Sequence, residues 1–196
     1  MKFESFLELL ASLTGDELVY ENIAKHIGVS AITIKNWVNV LVTGEIITLL
    51  EPYNELSITK RIVKRPKILF NDTGLACYLA RLNDPKVLAK SRFAGQFVET
   101  YIINEIIKSY KNNRKNANFY YYRDSNQNEI DLIILCDGKI QLIECKSGTS
   151  YDKAAISGFK QVSNSRYSIG PNALICNTDV IYKIDDNCYA LPISSI

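Results

Sequence analysis

The sequence predicts an α/β (α+β) chain in two parts, helix-rich over residues 1–84 and a mixed sheet flanked by helices over 85–196. Three observations lead there. Apolar residues recur at helical spacing in three short segments before residue 44. Asp137-Gly138 joins two runs rich in Ile and Leu, the signal of a two-residue hairpin. Beyond Pro85 the patterns read helix, three strands, helix, then further strands, the order of a sheet covered by helices.

Taken in order, Phe3, Phe6, Leu7 and Leu10 line one face of a helix over 3–13, closed by Gly15. A second helix spans 21–27, with Ile23, Ala24 and Ile27 inward. Gly28-Val29-Ser30 makes a tight turn, and Ser30 is a good N-cap for a third helix over 31–43 that buries Ile34, Trp37, Val38 and Leu41. Gly44 closes it. Two helices joined by such a turn form a helix-turn-helix. Strands at 45–50 and 58–70 would complete a winged helix. Asn71-Asp72-Thr73-Gly74 then caps a short helix to about 82, and Asn83-Asp84-Pro85 reads as a linker. A long helix over 93–110 is followed by strands at 118–123, 129–136 and 139–146, a helix over 152–163, strands at 173–176 and 180–182, and the apolar stretch 189–192.

Composition bounds the function. Hydrophobic residues make up 47% and charged residues 22%, ordinary for a globular chain. No apolar run approaches the roughly 18 residues of a membrane span. The start, Met1-Lys2-Phe3-Glu4, lacks signal-peptide architecture, so a cytoplasmic protein without membrane partners is expected. The five cysteines contain no C-x-x-C pair and read as buried, reduced thiols. His26 is the one histidine, which argues against chemistry built on a histidine pair. No G-x-x-x-x-G-K-[ST] loop exists, so no Walker-type ATP site is expected. A net charge of +2 is too small to imply nucleic-acid binding by itself.

Local patches carry that case instead. The outer face of the third helix offers Thr33, Lys35, Asn36 and Asn39, which can contact phosphates or base edges. The second strand holds Lys60, Arg61, Lys64, Arg65 and Lys67. These bases suit DNA phosphate, and they equally suit a solvated edge strand that blocks aggregation.

The chemistry concentrates on the hairpin. Extending its register from Cys136 opposite Lys139 places Asp131 opposite Glu144 and Glu129 opposite Lys146. On strict alternation all four charges share one face with Ile133, Leu135, Ile140 and Leu142. Like charges across a ladder destabilise it, so a cation is expected there. Asp131 and Glu144 would hold Mg²⁺ (or Mn²⁺) through hard oxygen ligands. Lys146 would position a water or stabilise a phosphoryl transition state. Glu99 shares a helix face with Ile103, Ile106 and Tyr110, and burial there is costly unless Arg123 or a metal compensates it.

Asp131 and Glu144-Cys145-Lys146, with Glu99 upstream, resemble the PD-(D/E)XK nuclease signature. That superfamily includes restriction enzymes and Holliday-junction resolvases. The resemblance implies a restriction-endonuclease-like domain over 85–196 with Glu99, Asp131, Glu144 and Lys146 as its catalytic set, and Asp131, Glu144 and Glu99 as metal ligands. Nearly the whole chain also resembles the C-terminal region (domain of unknown function 4143) of prokaryotic AAA-type ATPases. The matching phrases are Ile27-Gly28-Val29-Ser30 with Thr33-Ile34, Pro52-Tyr53, Phe70-Asn71-Asp72-Thr73-Gly74-Leu75, Gly95-Gln96-Phe97-Val98-Glu99, Tyr122-Arg123, Asn128-Glu129-Ile130-Asp131 and Ile143-Glu144-Cys145-Lys146. The ATPase module is missing from this sequence, so the resemblance implies such a module as a partner, in the same protein or a separate one.

The expectation is therefore a DNA-binding protein, with a winged helix over 1–84 and a Mg²⁺-dependent nuclease-like domain over 85–196, associated with an AAA-type ATPase. The alternative is a non-catalytic DNA- or partner-binding module of an ATPase system. The sequence leaves a homo-oligomer open.

Overall fold

A computed structural model of the protein describes residues 1–54, 65–163 and 165–196. The helices are α1 (Lys2–Ser12), α2 (Tyr20–Ile27), α3 (Ala31–Thr43), α4 (Thr73–Leu79), α5 (Pro85–Lys90) and α6 (Ala94–Asn112). The strands are β1 (Ile47–Pro52), β2 (Lys67–Phe70), β3 (Ala117–Arg123), β4 (Glu129–Cys136), β5 (Lys139–Cys145), β6 (Ser168–Ile169), β7 (Asn172–Cys176), β8 (Tyr182–Asp185) and β9 (Cys188–Pro192). Among the described residues these nine strands make a mixed sheet in the order β2-β1-β3-β4-β5-β7-β9-β8, with β6 beside β5, and helices flank it.

Packing divides the chain into two compact units. One is Met1–Leu50 with Arg65–Tyr101; the other holds Ile102–Ile196 and the segment that begins at Glu51. The division read from the sequence lies at 84/85, whereas the packing division falls inside α6.

In the first unit, α1 buries Phe6 and Leu10, and α3 buries Ile34, Val38 and Leu41. Phe3 meets Trp37 edge-on at 5.2 Å, a geometry aromatic rings favour. The turn between α2 and α3 forms as its sequence dictates. Gly28 takes a left-handed conformation at φ 72°, which a residue with a Cβ adopts only with strain. The Ser30 hydroxyl then accepts the Thr33 N–H at 3.0 Å. β1 and β2 pair antiparallel from Ile47↔Phe70 to Leu50↔Lys67. The expected second strand begins at 58, but residues 55–64 lie outside the described set and the described strand starts at Lys67.

Asn83-Asp84-Pro85, read as a linker, leads directly into α5. The Asp84 carboxylate accepts the Lys86 N–H at 2.8 Å and Pro85 opens α5. Proline suits the first helical position because the N–H it lacks would be unsatisfied there anyway.

In the second unit, β3 pairs antiparallel with β4, β4 with β5, and β5 and β7 are parallel, as are β7 and β9. One sheet face buries Tyr122, Ile130, Ile133, Ile140, Leu142 and Leu174 against Ile156, Phe159 and Val162. Each fully buried aliphatic side chain contributes about 1.5–3 kcal/mol. Those last three residues come from Lys153–Val162, which reads as a helix in the sequence and is a 3-10 helix interrupted by non-helical Ile156. Gly158 sets how closely this segment approaches β4. A Cβ there would lie far inside van der Waals contact distance of the Glu129 carbonyl oxygen, so only glycine permits this close approach to β4.

Candidate functional site

The hairpin forms in the expected register over Leu132↔Ile143, Ile133↔Leu142, Ile134↔Gln141, Leu135↔Ile140 and Cys136↔Lys139. Asp137 and Gly138 both take positive φ, 51° and 73°, as a two-residue turn of the primed type requires. Beyond Leu132 the ladder opens. The next hydrogen-bonded pair of an unbroken hairpin would be Ile130 with Cys145. Here the Cys145 N–H donates to Asp131 Oδ2 at 2.8 Å instead.

The cause lies on the other edge of β4. Tyr120 pairs with Ile133 and Tyr122 with Ile130, so Tyr121 faces two residues, Asp131 and Leu132. This is a β-bulge, a device that re-aims side chains. It also ends the strict alternation assumed from the sequence, because Ile130 joins the same core as Ile133. Asp131 is thus outside the paired rows, and its carboxylate replaces a peptide carbonyl as the acceptor for β5.

Glu144 sits beside Leu174 on parallel β7. Its Oε1 accepts the Lys146 ammonium at 2.5 Å. Asp131 and Glu144 are 5% and 7% exposed. Lys146 keeps 34% of its side chain exposed, so a charged head remains reachable from solvent. Burial pulls that ammonium's pKa down, but the charge of Asp131, then the charge and hydrogen bond of Glu144, outweigh it and hold the pKa above the usual value. Lys146 is therefore a fixed cation at neutral pH. The trio stands at the carboxyl end of β5, where parallel strands commonly present ligand sites.

The sequence reading missed what holds this corner. Asp124, 7% exposed, accepts the N–H groups of Asn126 and Asn128 at 2.9 and 3.0 Å, the Asn128 side-chain amide at 2.9 Å and the Tyr122 hydroxyl at 3.2 Å. Burial opposes its ionisation, yet the Asn128, Asn126 and Tyr122 donors outweigh burial and lower its pKa. This fixes the β3–β4 turn. The spacing Asp124-x-Asn126-x-Asn128 is a readable sign of an Asx-type turn. After Lys146, the Lys146 N–H bonds Ile175 O at 2.9 Å and the Gly148 N–H bonds the Tyr151 hydroxyl at 2.9 Å.

Glu99 belongs to the first unit. Its carboxylate takes the Lys67 ammonium at 2.7 Å. The sequence reading named Arg123 or a metal as compensation for this carboxylate; Lys67 is one cation that supplies it. Lys67 is only 3% exposed, so its ammonium faces Glu99 rather than a phosphate backbone. Among the described residues no three His, Cys, Asp or Glu side chains gather closely enough to hold a metal ion.

Of the other residues read as nucleic-acid contacts, Lys35, Asn36 and Asn39 are exposed on α3, and Arg65 is exposed. Thr33 is partly covered and its hydroxyl shares the cap with Ser30 at 2.8 Å. Lys60, Arg61 and Lys64 lie outside the described residues. Among the described helices none is long and apolar enough to cross a membrane. All five cysteines are free.

Comparison with known proteins adds family membership. The model of a domain of unknown function, DUF4143, matches residues 94–196. A second domain of unknown function, DUF8612, matches residues 1–86. No curated protein matches the chain. The crystal structure of protein VC1899 from Vibrio cholerae is similar at 12% identity and a TM-score of 0.34, over 99% of this chain and 48% of that one. The chain thus spans about half the length of that protein, and the likeness is too low to carry an argument. The DUF4143 match covers more than half of the 196 residues, and the chain belongs to the DUF4143 family.

Proposed function

We propose that this protein binds DNA through a winged helix that includes α2 and α3, and hydrolyses phosphodiester bonds at a nuclease-like site made of Asp131, Glu144 and Lys146. The single observation that carries the reading is the buried carboxylate pair with a solvent-reachable lysine where β4 breaks its ladder. The donor set fits Mg²⁺, which is usually held by one or two carboxylates, several waters and substrate phosphate oxygens. Asp131 and Glu144 would hold the ion. When bound, it would lower the pKa of a water and neutralise phosphoryl charge.

The chain's own residues divide the remaining work. Lys146, protonated at neutral pH, places a point charge against a non-bridging oxygen and stabilises charge that builds in the transition state. The Cys145 N–H fixes the Asp131 carboxylate, and the ion pair with Lys146 fixes Glu144. An AAA-type ATPase remains the proposed partner module, on the sequence resemblance alone.

One observation favours a second reading, a non-catalytic DNA- or partner-binding module. Both carboxylates already have protein donors, and among the described residues no third acidic ligand joins them. The test is cleavage of plasmid and branched DNA with Mg²⁺ or Mn²⁺ by wild type, Asp131→Asn and Lys146→Ala. Metal-dependent cleavage by wild type, lost in both variants, supports the nuclease. Equal cleavage by all three removes these residues from the chemistry. No cleavage, together with no heat on calorimetric titration of either metal, establishes the module.

A further inference from the structure

Two other features end without a commitment. The apolar groove of about 360 Å³ beside Ile106, Ile143, Ile175 and Tyr189 shows nothing of what would fill it. The hollow at Lys153, Ser157, Lys160 and Asn187 has Lys153 already paired with Asp185 at 2.8 Å, and nothing shows what would fill it. The outer face of α3 goes further.

At 100° per residue, Ile32, Asn36, Asn39 and Thr43 form one line along α3, opposite buried Ile34, Val38 and Leu41. Val40 and Lys35 flank the line on either side. Ile32 is 73% exposed and Val40 63%, and Asn36, Asn39 and Lys35 are exposed as well. Lys35 is the helix's one charge, and no carboxylate on α3 would repel phosphate. An apolar protein-docking stripe would be continuous. This one sets two amides between its aliphatic members.

That chemistry matches one edge of the genetic code's four letters. In the major groove an asparagine amide pairs bidentately with adenine N6 and N7, and an aliphatic group packs on the thymine methyl. Cytosine is read chiefly by Asp or Glu, and α3 carries neither; guanine is read chiefly by Arg or Lys, and the one such residue on α3 is Lys35, which flanks the line. The spacing is also right. Asn36 and Asn39 are about 4.5 Å apart along the helix axis, against about 3.4 Å per base-pair step, so the two amides address neighbouring or next-neighbouring pairs.

We propose that α3 reads A·T-rich duplex DNA in the major groove, with Asn36 and Asn39 on adenines and Ile32 and Val40 on thymine methyls. Lys35 sits to the side and takes a phosphate. The inference rests on the DNA-binding reading above and names its target class.

Fluorescence anisotropy of the full chain on two duplexes of equal length, one of mixed-order A·T pairs and one of G·C pairs, tests it. Wild type should bind the A·T duplex at least about tenfold more tightly, the discrimination expected from one good bidentate contact. Asn36→Ala with Asn39→Ala should erase the preference yet leave salt-sensitive binding to both duplexes. Uracil in place of thymine, which removes the methyl, should weaken wild type and leave the double variant Ile32→Ala with Val40→Ala unchanged. Equal wild-type affinity for the two duplexes overturns the inference and leaves DNA binding standing. An A·T preference that survives the asparagine variants assigns it to groove shape and overturns the inference too. No binding to either duplex at low salt overturns both readings and turns the face over to a protein partner. All four positions are exposed, so circular dichroism should show unchanged folding.

Discussion

Replacing Lys67 by Met tests whether Glu99 is a structural or a chemical residue. Lys67 is 3% exposed and its ammonium lies 2.7 Å from Glu99, itself 17% exposed. At an effective dielectric near 20, charges at that distance attract by roughly 6 kcal/mol. Desolvation offsets much of this in the intact pair, but taking away one partner leaves the other charge buried, a loss of about 3–5 kcal/mol. The residual exposure of Glu99 argues for the lower end, about 3 kcal/mol. For a chain of this size each kcal/mol shifts the midpoint by about 2–4 °C, so Lys67→Met should melt about 6–12 °C below wild type. The urea midpoint should fall with its slope unchanged. Met keeps the buried stem, so lost packing contributes little. The double variant Lys67→Met with Glu99→Leu should recover part of the loss, a coupling read from the full cycle. A Lys67→Met protein melting within about 2 °C of wild type, or single losses that simply add, would refute the argument.

Two further outcomes follow from the second unit. Gly158→Ala drives a Cβ into the Glu129 carbonyl, with backbone on both sides and no side chain to yield, so it should cost about 2–3 kcal/mol. Gly148→Ala meets only the tip of Tyr151 and should cost less than about 1 kcal/mol; equal losses in thermal melts would contradict this. The Tyr122 phenol is pushed up to about 12 by burial first, then by the charge and hydrogen bond of Asp124. An unfolded tyrosine ionises near 10, so above that pH the unfolded chain releases a proton that the folded chain keeps, and stability falls as pH rises toward 12. Tyr122→Phe should start less stable, having lost the bond to Asp124, and show a flatter fall in urea midpoint from about pH 9 to 11. Parallel profiles would remove Tyr122 from the alkaline response.

Local grammar in the sequence carried well into the structure. Gly28 and Ser30 place the turn before α3 to the residue, because a left-handed residue and an N-cap have few substitutes. Asp137-Gly138 likewise set the hairpin register over five pairs. What the sequence concealed was long-range. Nothing near Lys67 shows that it turns inward to Glu99, thirty-two positions away, rather than outward with Arg65. The bulge at Asp131–Leu132 depends on Tyr121 in another strand, so alternation read along β4 alone puts Asp131 in a row it does not occupy. Asp84-Pro85 was ambiguous for a different reason: the same pair opens helices and interrupts chains. Of the candidate site, Asp131, Glu144 and Lys146 were legible through the hairpin and Asp124 through its spacing to Asn126 and Asn128, while Gly158 required knowing which segments touch.

The bulge makes Asp131 a residue that is counted as well as chosen. Chain length between Ile130 and Ile133 is as much part of the corner as the carboxylate. With one residue fewer there, Ile130 would stay opposite Tyr122 and the apolar side chains would keep their present neighbours. The acid would slide into the row of Ile143, a step short of Glu144, and the Cys145 N–H would revert to a peptide carbonyl. Such a protein would keep its sheet and lose its acidic corner. A relative that carries both acids at a shorter spacing has the letters of this site without its geometry.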